Sequence, residues 1–244
     1  MLMSVLEGAR LAPAYPQFAG KRVLITGLTS TCGVDLARTF AEHRTRLVLQ
    51  FSESGEKMHT VAEIVAQDAL EVSAFGKVAP TTDDVVAFAR QAVKAFGGVD
   101  MVINFVQLSA GHANQLASVD AIERSIAARL AMPCLLSKIA ANRMSLAWNE
   151  GLILNIATLD SAPRGANQAF AAIVKSTMAA MTRSLAEEWA DKAIRFNAIA
   201  PPTWPSAGRP GAWGEAEMAE LALGLASGRG KTLSGCLFES ADEI

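Results

Sequence analysis

A single doubly wound parallel α/β sheet (a Rossmann-type layout of about seven strands) is the fold this sequence predicts, and three observations point to it. Short β-rich apolar runs alternate with longer helical patterns along most of the chain. The first run, Val23-Leu24-Ile25, breaks at Thr26-Gly27 into a small-residue turn, and Gly33-Val34-Asp35-Leu36-Ala37 opens a helix behind it. The length of 244 residues suits one α/β domain with a full core and gives no reason for two.

Each element has its own signal. Residues 1–19, with Pro13 and Pro16, read as an arm laid on the surface or on a neighbouring subunit, and 20–244 as the domain. After the first strand and helix, Thr45–Phe51 reads as a strand and Glu56–Ala69 as a helix with Val61, Ile64 and Val65 on one face. Glu71–Phe75 is a third strand, and Thr82–Phe96 a helix whose acidic start suits its dipole. Asp100–Val106 is a fourth strand, and Asp120–Met144 a long helix with a kink expected at Pro133. Leu152–Ala157, Ile194–Ala200 and Gly235–Glu239 read as the remaining strands, with helices over Phe170–Trp189 and Glu215–Ala226 between them.

Composition narrows the functional classes. A net charge of −2 with no basic run gives no case for nucleic acid. Three widely spaced cysteines and three histidines without ligand spacing suggest neither a disulfide framework nor a metal site. No apolar run approaches membrane-spanning length, and the N-terminus does not read as a secretory signal, so the expected location is cytoplasmic.

The strand–turn–helix at Lys21–Phe40 is how such a sheet receives a dinucleotide. Glycines admit the pyrophosphate close to the backbone, and the helix N-terminus offers N–H groups and a positive dipole. The order from Thr26 to Gly33 resembles the TGxxxGxG turn of the short-chain dehydrogenase/reductase family, with Gly27 and Gly33 in place and Thr31 where the middle glycine belongs. Asp100–Gln107 is similar to that family's D-x-L-V-N-N-A-G strand, with Asn104 in the first asparagine place. Lys175-Ser176-Thr177-Met178 with Thr182–Glu188 looks like the helix after its catalytic tyrosine, and Arg195–Pro201 matches its R-V-N-x-I-x-P strand. The resemblance covers residues 20–240 and is of the ketoacyl-reductase-like kind.

The resemblance implies a tyrosine that transfers the proton, a lysine four residues on that lowers its pKa and holds the nicotinamide ribose, a serine, and an asparagine anchoring a water relay. Laid on this chain, only the lysine survives, as Lys175. The serine place falls on Thr158, the tyrosine place on Ala171 and the asparagine place on Arg129. The cofactor set implied is Gly27, Thr31, Gly33, Asn104 and Lys175, all vestigial. Phe105 brings a ring beside that turn, Lys77-Val78 replaces the acidic residue expected to meet adenine, Pro202 replaces a glycine, and Glu53 would repel a 2′-phosphate. The expectation is that no dinucleotide binds tightly, and that NAD is preferred over NADP if either binds.

Bland readings stand beside these. Lys175 reads as a relic of catalysis or as a surface lysine at a helix start, Thr158 as a catalytic hydroxyl or a turn former, and Arg129 as an anion contact or an ordinary salt bridge. Two functions follow. One is a non-catalytic family member acting as a structural or regulatory subunit beside an active relative, in a homo- or hetero-oligomer joined through helices 120–144 and 170–189. The other is an NAD(P)-dependent oxidoreductase for a carbonyl or alcohol, working with Lys175 and Thr158. The accumulated losses favour the first.

Overall fold

The computed structural model describes residues 15–108, 118–159, 166–200 and 214–239. The elements run β1 (Arg22–Leu28), α1 (Val34–Glu42), β2 (Arg46–Phe51), α2 (Glu56–Ala66), β3 (Glu71–Phe75), α3 (Thr82–Ala95), β4 (Met101–Gln107), α4 (Val119–Leu146), β5 (Gly151–Thr158), α5 (Ala166–Glu188), β6 (Ile194–Ala200), α6 (Glu215–Ala226) and β7 (Leu237–Glu239). The strands form one sheet in the order β3-β2-β1-β4-β5-β6-β7, and every pairing is parallel. Order reverses between β1 and β4, and the carboxyl ends of those two strands flank the crevice where such sheets take ligands.

Strands buried on both faces explain the continuous apolar runs. Val23 and Ile25 of β1 join a cluster with Leu36, Phe40, Val61 and Leu223, from α1, α2 and α6. Leu24, between them, faces the other way and packs with Val85, Phe88, Leu136 and Leu185, from α3, α4 and α5. The alternation of one strand thus assigns three helices to each side.

The element boundaries differ from the sequence expectation for local reasons. Helix α2 ends at Ala66 instead of Ala69, although the Ala69 N–H still reaches Val65 O at 3.2 Å. Strand β7 starts at Leu237, because Gly235 before it has φ +79° and leaves the extended path. Helix α5 begins at Ala166, ahead of the expected Phe170. Helix α4 extends from Val119 to Leu146 with Pro133 buried inside it. The end of the expected arm is packed on this domain itself: a 3₁₀ turn at Pro16–Phe18 buries Phe18 edge-on against Phe40, with ring centroids 6.0 Å apart. The rest of the arm, residues 1–14, lies outside the described residues.

Two polar devices fix the strands. At the amino ends of β1 and β4, Arg22 grips Asp100 with Nη2 to Oδ1 at 2.6 Å and Nε to Oδ2 at 3.0 Å, while the Arg22 N–H donates to the same Oδ2. Inside the sheet, Thr26 Oγ1 donates to Asn104 Oδ1 at 2.8 Å, and Asn104 Nδ2 donates to Asn155 Oδ1 at 3.0 Å and Ser137 Oγ at 3.3 Å. One amide therefore ties β1, β4, β5 and α4.

The Arg22–Asp100 pair sets an acid dependence. Burial alone would raise the Asp100 pKa, but the hydrogen bonds and charge of Arg22 outweigh it and the net shift is downward from 3.8. A carboxylate depressed in the folded state contributes stability that is complete above the unfolded value and is lost as pH falls through the folded one. Asp100→Asn should cost about 2 kcal/mol at neutral pH. Urea denaturation at a series of pH values should show that the loss shrinks as acid removes the wild-type advantage.

Candidate functional site

The crevice is built by the turn after β1, the turn after β2, the end of β4 and the start of α6. Gly27 and Gly33 have φ of +79° and +85°, which the turn requires. They also allow a close approach: a Cβ at Gly33 would sit 2.8 Å from Phe105 Cε2, and one at Gly27 would sit 2.8 Å from Phe105 O. Phe105, almost fully buried, therefore lays its ring against Gly33. Thr31 is exposed, its hydroxyl 3.5 Å from that of Thr29.

Four of the turn's N–H groups find acceptors within the chain. Gly27 N–H donates to Gln50 Oε1 at 3.0 Å, Thr29 N–H to Cys32 O at 3.0 Å, Ser30 N–H to Glu53 Oε1 at 2.5 Å and Thr31 N–H to Thr29 Oγ1 at 3.3 Å. At the start of α1, Asp35 and Leu36 donate to Glu215 Oε1 at 2.8 and 3.2 Å. Burial raises the pKa of Glu215, backbone N–H groups at the start of α1 pull it down, and the nearby Asp35 charge pushes it up, for a net rise.

The catalytic places lie elsewhere along the same end of the sheet. Thr158 closes β5 beside Gln107 of β4, and its carbonyl accepts from the Leu108 N–H at 2.8 Å. Ala171 is fully buried on α5, in an apolar cluster with Val106, Leu108, Leu130, Ala157, Phe170 and Val174. Arg129 lies 5.1 Å from the centre of the Phe170 ring, and its Nη1 donates to Ser125 O at 3.1 Å.

Lys175 is not a surface lysine at a helix start. It lies well inside α5 with its side chain only 11% exposed, and its Nζ is 2.8 Å from Glu239 Oε2 on β7. Asn104, expected beside a cofactor, is fully buried and has its amide engaged across the sheet. Lys77, where adenine would meet an acid, donates its N–H to Ser54 Oγ at 3.3 Å. Pro201 and Pro202 lie outside the described residues. Sequence reasoning placed Glu53 near the ribose but missed its turn onto Ser30, and it missed Gln50 and Glu215 altogether. Glu215 follows the turn by some 180 positions, and only its place at a helix start marks it.

Tested against a nicotinamide dinucleotide, these residues do not fit. The donors that would hold a pyrophosphate are bonded within the chain, two carboxylates stand among them, and no acid–base side chain occupies position 171. Among the described residues no helix is long and apolar enough to cross a membrane, and no cluster of three or more His, Cys, Asp or Glu could hold a metal.

The family model for short chain dehydrogenases matches residues 21–209. Curated relatives include an uncharacterized oxidoreductase of Thermotoga maritima, 29% identical over 78% of this chain and 74% of its own length. Glucose 1-dehydrogenase 2 of Bacillus subtilis is 26% identical over the same shares. Among solved structures, a short chain dehydrogenase from Mycobacterium smegmatis superposes with a TM-score of 0.78 at 21% identity, covering 94% of this chain and 95% of its own. An NADH-dependent reductase complexed with NAD superposes at 0.77 with 19% identity, over 92% and 96%. At these identities the superpositions show the fold.

The contact of Phe105 with Gly33 gives a direct check. Gly33→Ala should destabilise the chain by about 2 kcal/mol, through left-handed backbone strain and the ring together. In a Phe105→Ala background the ring's part should vanish, and about 1 kcal/mol should remain from backbone strain and the 3.2 Å approach to Leu28 Cγ. A denaturation double-mutant cycle measures both.

Proposed function

The chain belongs to the short-chain dehydrogenase family, an oxidoreductase family, and from that premise we propose that it is a non-catalytic member which binds neither NAD nor NADP tightly. One observation carries the reading. The residue that should exchange a proton with the substrate is Ala171, fully buried among apolar side chains. The lysine that would lower a tyrosine pKa is paired with Glu239, and the place of the relay asparagine holds Arg129 over Phe170. The competing reading, an oxidoreductase working through Lys175 and Thr158 with substrate or water supplying the proton, has to contend with a Lys175 ammonium already paired with Glu239.

Turnover assays decide between them. The purified chain, given NADH or NADPH with simple ketones, or NAD with the matching alcohols, should show no turnover. Ala171→Tyr should not restore it, and the added ring in a filled position should cost about 1–3 kcal/mol of stability. Activity in the unaltered chain that disappears in Lys175→Ala would overturn the proposal.

We also propose that the chain works as a subunit, paired through α4 and α5 with a second copy or with an active member of its family. In support, both helices are kept at full length, and α5 presents Ile173 to solvent beside small residues that permit close approach. Within the protomer, Leu130 and Pro133 of α4 are already buried, so any contact uses other positions. Light scattering should show a species larger than one chain, alone or on co-expression with an intact relative. A monomer under both conditions would sink this part.

A further inference from the structure

We infer that Glu215 is an internal anion that takes the place of a phosphate at the start of α1, so that the dinucleotide groove is held shut by the chain's own α6. This goes beyond the absence of chemistry, because a chain lacking its tyrosine could still bind a dinucleotide, and it stands on different residues.

The disagreement between the fold and its expected cofactor is local and has named causes. A helix N-terminus carries unpaired N–H donors and a positive dipole end, and in this kind of sheet a pyrophosphate satisfies both. Here one carboxylate oxygen accepts from Asp35 at 2.8 Å and Leu36 at 3.2 Å. A second carboxylate, Glu53, takes the Ser30 N–H at 2.5 Å, and the Phe105 ring fills the space against Gly33. Two negative charges and a ring thus occupy the donors and the volume that a pyrophosphate would use.

The arrangement is unlike a helix cap supplied from the residue before the helix. Gly33, the N-cap of α1, offers no side chain, so the acceptor is brought in by another helix. Glu215 is the first residue of α6, and the Glu217 carboxylate caps α6 itself by accepting from the Gly214 N–H at 2.8 Å. The start of α6 therefore carries two carboxylates with separate tasks. Glu217 serves its own helix and Glu215 serves α1. Any movement that lifts the start of α6 from α1 would expose the donors, and the ligand class fitting them is a phosphate or the pyrophosphate of a nucleotide.

The test uses the full ¹⁵N-labelled chain and follows the backbone amide signals of Asp35 and Leu36. Inorganic phosphate is titrated first, then pyrophosphate, then NAD. In the unaltered chain these signals should not move. In Glu215→Gln, which keeps the shape and removes the charge, they should shift saturably with pyrophosphate, and affinity should rise on the order of tenfold. Glu215→Ala, which removes the acceptor as well, should bind at least as tightly, and Glu215→Ala with Glu53→Gln more tightly still.

If Glu215→Ala does not fold, Glu215→Gln alone decides. Saturable movement of these amides by NAD in the unaltered chain would overturn the inference. So would amides in folded Glu215→Gln that ignore all three ligands. Dinucleotide binding without turnover in the variants supports the inference and leaves the non-catalytic reading intact. Turnover in a variant would defeat that reading and leave this one standing.

Discussion

The constraint on which this structure turns is that the N–H groups at the start of α1 must have acceptors. A glycine turn with two positive-φ residues leaves its donors pointing into the crevice, and the helix behind it adds more. In this chain Thr29 and Thr31 find acceptors inside the turn, while Gly27, Ser30, Asp35 and Leu36 reach three separate places: Gln50 at the end of β2, Glu53 just beyond it, and Glu215 at the start of α6. Satisfying one turn therefore draws the β2 loop and a distant helix onto it. The cleft geometry follows from this demand as much as from the sheet.

Around position 171 the structure is an interior instead of a polar centre. A proton-transfer centre needs polar groups that point at a common atom, with water at hand. The equivalent region here is an apolar cluster in which Phe170, Leu130 and Val106 meet, with Arg129 stacked over the ring. Apolar packing of that sort stabilises the fold and leaves no side chain there that exchanges a proton.

Much of the fold was legible in the sequence because strands buried on both faces leave apolar runs, as in Leu152-Ile153-Leu154, and because Ile194–Ala200 and Glu215–Ala226 have sharp limits. The alanine at position 171 was legible too, since that position can be counted from Lys175. Contacts between side chains distant in sequence were not. Nothing near Glu215 says that it meets Asp35, and nothing near Lys175 says that its ammonium is buried against Glu239. Asn104 could be placed by its motif, but its engagement with Thr26 and Asn155 needed the register of three strands. Such pairs depend on which strands become neighbours, and local pattern carries no record of that.

The ion pair between Lys175 and Glu239 also bears on the order in which the chain is made. Helix α5 leaves the ribosome well before β7, and domains organise progressively as synthesis proceeds. Until Leu237–Glu239 joins the edge of the sheet beside β6, the Lys175 ammonium has not gained the Glu239 carboxylate as a counterion. The last described strand thus adds an ion pair that fastens α5 to the sheet edge, and this part of the helix's hold arrives only with β7.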